Sequence, residues 1–305
     1  MAASPRVSIG LPVRNGEQFI GRAIDSVLAQ DFSDFELVIC DNDSTDSTLE
    51  IVRAYAERDP RVKLHENGRD IGQIENMNRV FELSSGEYFR WTGADDWFEP
   101  TFISKCVAVL DADPDLIGVS TYINYFDDAG NQYYAEYTGE RFESEDPARR
   151  FSRMLWFFHA DYRYCDPHYT MYRRSALEQT RLYQLTMCTD HILATEIALL
   201  GRTGHVPECL FHRRREPAYY EEEELLEQQY DPNAPERLRL TVAELCAKYD
   251  ESVRGASLTP MQKLACRKAI ARYYLEEQAT VYGDKGRDLV RRLPGFKRVK
   301  AALGR

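Results

Sequence analysis

Short apolar strands separated by amphipathic helical stretches are the feature that most narrows what this chain can fold into. Residues 7–11 read as a strand, and Pro12 and Gly16 mark the turn after it. Phe19, Ile20, Ala23, Ile24, Val27 and Leu28 then recur at helical spacing. The pattern repeats with a strand at 35–40, a polar loop at 41–46 and a helix opening on Leu49, Ile51, Val52 and Tyr55. A strand at 62–64, a helix carrying Ile74, Met77, Asn78 and Phe81, and a strand at 88–91 follow. Parallel strands need a long crossover, usually a helix, so the alternation predicts βαβ units and a mainly parallel α/β sheet. Such a sheet is covered on both faces, which explains strands that are apolar throughout.

Past Asp96 the pattern gives a helix at 102–110 and a strand at 117–123. Residues 124–150 are polar, aromatic and loop-rich, and read as an insertion or lid. Helical patterning returns at 151–157 and 190–200, and from Glu221 onward the chain is helical and charged. The acidic run at 221–224 reads as a solvated helix face.

The formal net charge is −11, a field that argues against nucleic acid as a partner. Residues 281–305 run against it, with eight Lys or Arg and two Asp interleaved with Leu289, Val290, Leu293, Phe296 and Val299. That segment suits either a solvated helix with a loose tail or contact with an anionic membrane surface. No apolar run is long enough to span a bilayer, and the N-terminus lacks the apolar core of a signal peptide. Seven cysteines, an odd number without a CxxC pair, read as reduced thiols in a cytoplasmic protein and offer no CxxC-type zinc site.

Open parallel sheets bind ligands beyond the C-terminal strand ends, and three polar clusters fall there. The first, Pro12-Val13-Arg14-Asn15-Gly16, lacks both GxGxxG and GxxxxGK[ST], which disfavours a dinucleotide enzyme and a P-loop kinase. The second runs from Asp41 to Asp46. A carboxylate there can accept the imide N–H of uracil or thymine. A calcium loop would need ligands the sequence lacks, and one of Ser44, Thr45 or Asp46 suffices to cap the next helix. The third is Gly93-Ala94-Asp95-Asp96. Adjacent carboxylates repel unless a cation, donor or proton compensates, and magnesium or manganese suits oxygen ligation of this kind. Asp96 also fits as a cap for the helix after Pro100.

Together these stretches resemble the family 2 glycosyltransferases, inverting nucleotide-sugar enzymes with the GT-A fold. Residues 7–15 are similar to the family's opening strand, 18–30 to its first helix and 35–46 to its second strand and acidic loop. Asn67, Gly72 and Asn76 lie where the family has an Asn/Gly-rich segment, and Asp95-Asp96-Trp97-Phe98-Glu99-Pro100 is similar to its Asp-Asp-x-x-x-Pro ending. The family's usual Asp-x-Asp is Gly93-Ala94-Asp95 here. The resemblance implies that Pro12, Val13 and Asn15, with Asp41, Asp43 and Asn76, hold the nucleotide. It implies that Asp95 binds Mn2+ or Mg2+, with Asp43 or His212 as a second contact.

Cys188-Thr189-Asp190-His191 resembles the Glu-Asp segment before a family helix, which implies Asp190 as the base, with helix capping as the other role for that residue. Residues 210–215 resemble the segment that closes over the pyrophosphate, through His212 or one of Arg213, Arg214 and Arg215. His168 reads as acceptor-side or structural.

The expected organisation is a nucleotide-sugar-binding half at 1–120, an acceptor-binding and catalytic half of the same GT-A domain at 121–215, and a helical extension at 216–305 with a basic end. The expected activity is inverting, metal-dependent transfer from a nucleoside diphosphate sugar, UDP- or dTDP-linked, to a sugar or other alcohol, soluble or lipid-linked. Aromatics between Tyr122 and Trp156 are a candidate acceptor wall. A homo-oligomer and a place at the inner membrane face are compatible with this reading. The alternatives are a non-catalytic nucleotide-sugar-binding or scaffold protein, which Gly93 favours, and a nucleotidyltransferase, which lacks its phosphate loop.

Overall fold

The computed structural model describes residues 4–134, 136–160, 167–214, 238 and 240–281. The acidic run at 221–224, Arg215 and nearly all of the basic segment, residues 282–305, lie outside the described residues.

The first half alternates as its sequence predicts. Strands β1 (Val7–Val13), β2 (Phe35–Asp41), β3 (Val62–Glu66) and β4 (Tyr88–Trp91) are parallel neighbours, separated in sequence by helices α1 (Ile20–Leu28), α2 (Thr48–Arg58) and α3 (Gln73–Glu82). All seven residues of β2 are buried. Successive side chains of a strand face opposite sides. Leu37 and Ile39 therefore pack with Ile24 and Val27 of α1, while Val38 and Cys40 pack with Ile74 and Met77 of α3. Truncating a buried leucine such as Leu37 to alanine costs about 2–5 kcal/mol.

The second half closes the sheet differently. Strand β5 (Trp97–Phe98), helix α4 (Phe102–Ala112), strand β6 (Leu116–Phe126) and strand β7 (Gln132–Tyr134) follow, then helix α5 (Pro147–Ala160). Next come β8 (Met171–Arg173), a short helix α6 (Arg174–Leu177), α7 (Thr189–Leu200) and the long strand β9 (Arg202–Arg214). Among the described residues the sheet order is β3-β2-β1-β4-β8-β6-β9-β5, with β7 paired to β6. β8 runs antiparallel between β4 and β6. Its start therefore lies at the C-terminal end of β4, where ligands of such sheets bind. The expected boundary between residues 120 and 121 falls inside β6, and residues 124–134 form a strand end and a hairpin, not only a loop.

Helices α8 (Val242–Gly255) and α9 (Pro260–Val281) pack on α5 and α7. Thr241 and Glu244 form a reciprocal capping box at the start of α8. Arg181 ties α7 to α8, reaching Glu196 on one and Glu251 and Ser252 on the other. Helices α8 and α9 thus share one core cluster with α5 and α7. Among the described residues no helix is long and apolar enough to cross a membrane.

Candidate active site

The loops after β1 and β2 are laced together by hydrogen bonds. Asn15 takes a positive φ of 55°, which asparagine tolerates, and its Oδ1 accepts the Thr45 amide at 2.8 Å. Ser44 Oγ accepts the Asn15 amide at 3.0 Å, and Thr48 Oγ1 accepts that of Gly16 at 2.7 Å. Asp46 Oδ1 accepts the Thr48 amide at 3.0 Å, while its Oδ2 accepts the Glu17 amide at 3.1 Å. The formal cap of α2, Ser47, makes no side-chain bond.

Asp41 closes β2 and is 2% exposed. Its Oδ1 accepts the Ser44 amide at 3.1 Å, and its Oδ2 is buried without a partner among the described residues. Asp43 is exposed with φ 61°. Asn76 binds inward, donating from Nδ2 to the Cys40 carbonyl at 3.0 Å and accepting from Asn67 Nδ2 at 2.8 Å. Its side chain thus positions the strand ends. Val13 is buried, and its carbonyl accepts the Asn42 amide at 2.8 Å.

The second corner lies beyond β4. Asp96 is buried and accepts the amides of Gly93 at 3.1 Å and Arg214 at 3.2 Å. It does not cap α4, whose cap residue is Thr101. Asp95 is half-buried, 3.8 Å from Arg214 Nη1, and Arg214 also pairs with Asp128 of the β6–β7 turn. Burial raises both carboxyls above the usual range, and the charge on Asp95 adds to the effect at Asp96. Arg213 opposes the rise at both.

Arg213 also faces the turn before β8. There His168 stacks on Trp91 at 6.1 Å and 16°, with its Nδ1 bonded to the Tyr183 hydroxyl. Burial, reinforced by Arg213 and Arg90, holds this imidazole down at about 3, so it is neutral. Asp190 acts on His168 in the opposite sense, which places it in the same neighbourhood. It sits in the first turn of α7 and makes no hydrogen bond or ion pair among the described residues. The cap of α7 is Cys188, so Asp190 does not cap the helix.

His212 stands apart from this arrangement. Its Nε2 meets Glu99 at 2.8 Å, its Nδ1 meets Asn124 Nδ2 at 3.2 Å, and its ring stacks on Trp97 at 4.7 Å and 4°. An amide donor at Nδ1 leaves the proton on Nε2, assigned here from the hydrogen-bond network. Both ring nitrogens are engaged, so His212 knits β5, β6 and β9 together.

A model of the family described as Glycosyl transferase family 2 matches residues 8–181. The chain belongs to this family. An uncharacterized glycosyltransferase of Haemophilus influenzae is 30% identical over 123 residues, covering 40% of this chain and 38% of the relative. The chondroitin synthase of Escherichia coli is 34% identical over 128 residues, covering 42% of this chain and 18% of the relative. The chain thus spans less than half the length of these relatives. The crystal structure of S. aureus TarS 1-349 superposes with a TM-score of 0.65 at 17% identity, over 90% of this chain and 73% of that one. Mannosyltransferase PcManGT from Pyrobaculum calidifontis, in complex with GDP-Man and Mn2+, gives 0.55 at 19% identity, over 99% and 81%. The structural likeness shows the GT-A-like fold.

For a family 2 glycosyltransferase the loop from Gly93 to Asp96 is unusual. Among the described residues no group of three or more His, Cys, Asp or Glu could hold a metal ion. A side chain at Gly93 would put its Cβ 2.7 Å from Asp96 Oδ2 and 2.9 Å from Asp95 Oδ1, so an aspartate does not fit there as the loop stands. Asp96 already serves two amides. Asp95 is left as the carboxylate that fits a divalent cation, and magnesium commonly takes one or two carboxylates plus substrate phosphates.

Sequence reasoning gave no role to Arg90. It is fully buried in β4, donates from Nε to the Tyr169 carbonyl at 2.9 Å, and lies 3.9 Å from the Phe211 ring centre. A charge inside an otherwise apolar strand was the available signal. The placement of Arg213 near both the acidic pair and His168 was likewise beyond the sequence.

Proposed function

We propose that this chain transfers a sugar from a nucleoside diphosphate sugar to an alcohol acceptor with inversion at C1. The observation that carries the reading is Asp190, a carboxylate with no hydrogen-bond or ion-pair partner among the described residues, linked through the surroundings of His168 and Arg213 to the Asp95–Asp96 corner. Asp190 accepts the proton of the acceptor hydroxyl as its oxygen attacks C1. Attack from the face opposite the leaving group inverts the anomeric centre. The departing diphosphate carries the charge away, and Arg213 and Arg214 at the end of β9 are the cations placed to meet it.

Asp41 holds the base with the backbone of Pro12 and Val13. The orphan oxygen of Asp41 alone suits any base with a ring N–H, such as uracil, thymine or guanine. Asn15, Asp43 and Asn76 shape and position the nucleotide loops. Asp95 would hold Mn2+ or Mg2+, which when bound stabilises negative charge on the leaving group. His212 acts through the fold. The acceptor is a sugar or other alcohol, and a lipid-linked one suits a basic segment 281–305 that meets an anionic surface.

The test is nucleoside diphosphate release from a panel of sugar donors and simple alcohol acceptors, with and without Mn2+. Wild type is expected to turn over at least one donor with an inverted product. Asp190→Asn is expected to keep the nucleotide-induced thermal shift and lose turnover about a thousandfold. Full turnover by that variant removes Asp190 as the base.

A further inference from the structure

We infer that the donor base is guanine, a reading that rests on the transfer from a nucleoside diphosphate sugar proposed above. Three strand ends stand side by side at one sheet edge, β1, β2 and β3, in register at Val13, Asp41 and Glu66. Neighbouring strands lie about 4.8 Å apart, so the three ends span about 10 Å, the scale of a nucleobase with its bonding partners.

Arg14 follows β1. Its Nε meets Asp70 Oδ2 at 3.1 Å, and Asp70 Oδ1 accepts Asn42 Nδ2 at 2.7 Å, so the guanidinium lies toward the end of β2. Its terminal N–H groups have no partner among the described residues. Asn67 follows β3 and leans the same way, donating from Nδ2 to Asn42 Oδ1 at 3.0 Å and to Asn76 Oδ1 at 2.8 Å. The orientation of that amide follows from its neighbours. Asn76 spends its Nδ2 on the Cys40 carbonyl and Asn42 spends its own on Asp70, so each turns a carbonyl oxygen toward Asn67. The Asn67 nitrogen must face them, and its Oδ1 is left buried without a partner. Between Arg14 and Asn67 lies Asp41, whose Oδ2 is likewise buried without a partner.

Buried acceptors left unpaired are costly, so both oxygens fit donors that a ligand brings. In strand order the edge offers donor, acceptor, acceptor. Guanine offers the complement: O6 accepts, N1–H donates and N2–H2 donates. Uracil and thymine offer acceptor, donor, acceptor, which sets a carbonyl oxygen against Asn67 Oδ1. Cytosine and adenine place an unprotonated ring nitrogen against Asp41.

The experiment is calorimetric titration of the full chain, with Mn2+ present, by GDP, IDP, UDP, dTDP, CDP and ADP. Expected is GDP binding about a hundredfold tighter than UDP. It should also bind about tenfold tighter than IDP, which lacks only the 2-amino group that Asn67 would accept from. UDP or dTDP binding as tightly as GDP, or equal binding of GDP and IDP, overturns guanine and leaves the transfer reading standing. Binding by none of the six overturns both.

Discussion

The β1–β3 edge and the β4–β9 edge solve different problems with similar residues. At the first, nearly every polar group is committed to a neighbouring loop. Asn15, Thr45, Asp46 and Thr48 hold one another, and what is left over is a few atoms in fixed positions. At the second, ionisable groups are crowded and burial displaces their protons, so that Asp95, Asp96 and His168 all titrate away from their usual ranges. A recognition surface is built by removing freedom. The reaction centre proposed above is built by burying ionisable groups, which disfavours their charged forms and shifts their proton affinities.

Four measurements separate the two edges further. The largest expected difference is between Asp190→Asn, which loses about a thousandfold in kcat with nucleotide affinity kept, and Asp41→Ala, which loses about thirtyfold in affinity. Equal effects of both variants on Kd and kcat would erase the distinction. Next, Gly93→Ala pushes a methyl into the Asp95–Asp96 oxygens and should cost about 1–3 kcal/mol in chemical denaturation, whereas Gly68→Ala is strained only by its φ of +69° and meets nothing within 4 Å.

The pH response should have opposite signs at Asp96 and at Asp59, which lies at the opposite end of the strands and serves as a reference. Asp96 binds its proton more tightly folded than unfolded. Its stabilising contribution is therefore complete below about pH 4 and fades as pH rises through its raised folded value. Asp59, ahead of β3, is lowered by its hydrogen bonds from Arg61, so its contribution is present above about pH 4 and lost on acidification. Thermal melts of Asp96→Asn and Asp59→Asn across pH should each remove one slope; two melts indistinguishable from wild type would contradict the assignment. The smallest effect is expected for His212→Gln, with nucleotide affinity unchanged within about threefold, because its ring nitrogens already serve Glu99 and Asn124.

The first half was legible because β1, β2 and β4 are buried on both faces and its helices carry one apolar stripe, so periodicity and burial agree there. Strand β5 was not, since two residues carry no period. β9 is long, yet Pro207, Glu208 and the basic run break its alternation, and only its end at 210–215 was noticed. The same run hides the part His212 plays. Composition does not say which of residues 212–214 reach the site and which are spent on the fold. The stack of His212 on Trp97 decides it. Asp41 and Asp95 could be placed because strand ends are where such sheets bind ligands, whereas Asp190 lies on a helix and was reached by resemblance alone.

The brace formed by α8 and α9 against α7 has a consequence for heredity. The stretch that matches the family ends at residue 181, eight positions before α7 begins. The family model thus covers the loops after β1, β2 and β4 and stops short of α7. Helix α7, which carries Asp190, is fastened instead to elements beyond the match. On the transfer proposed above, redrafting the later helices could exchange what is glycosylated while the means of holding the donor passes down intact.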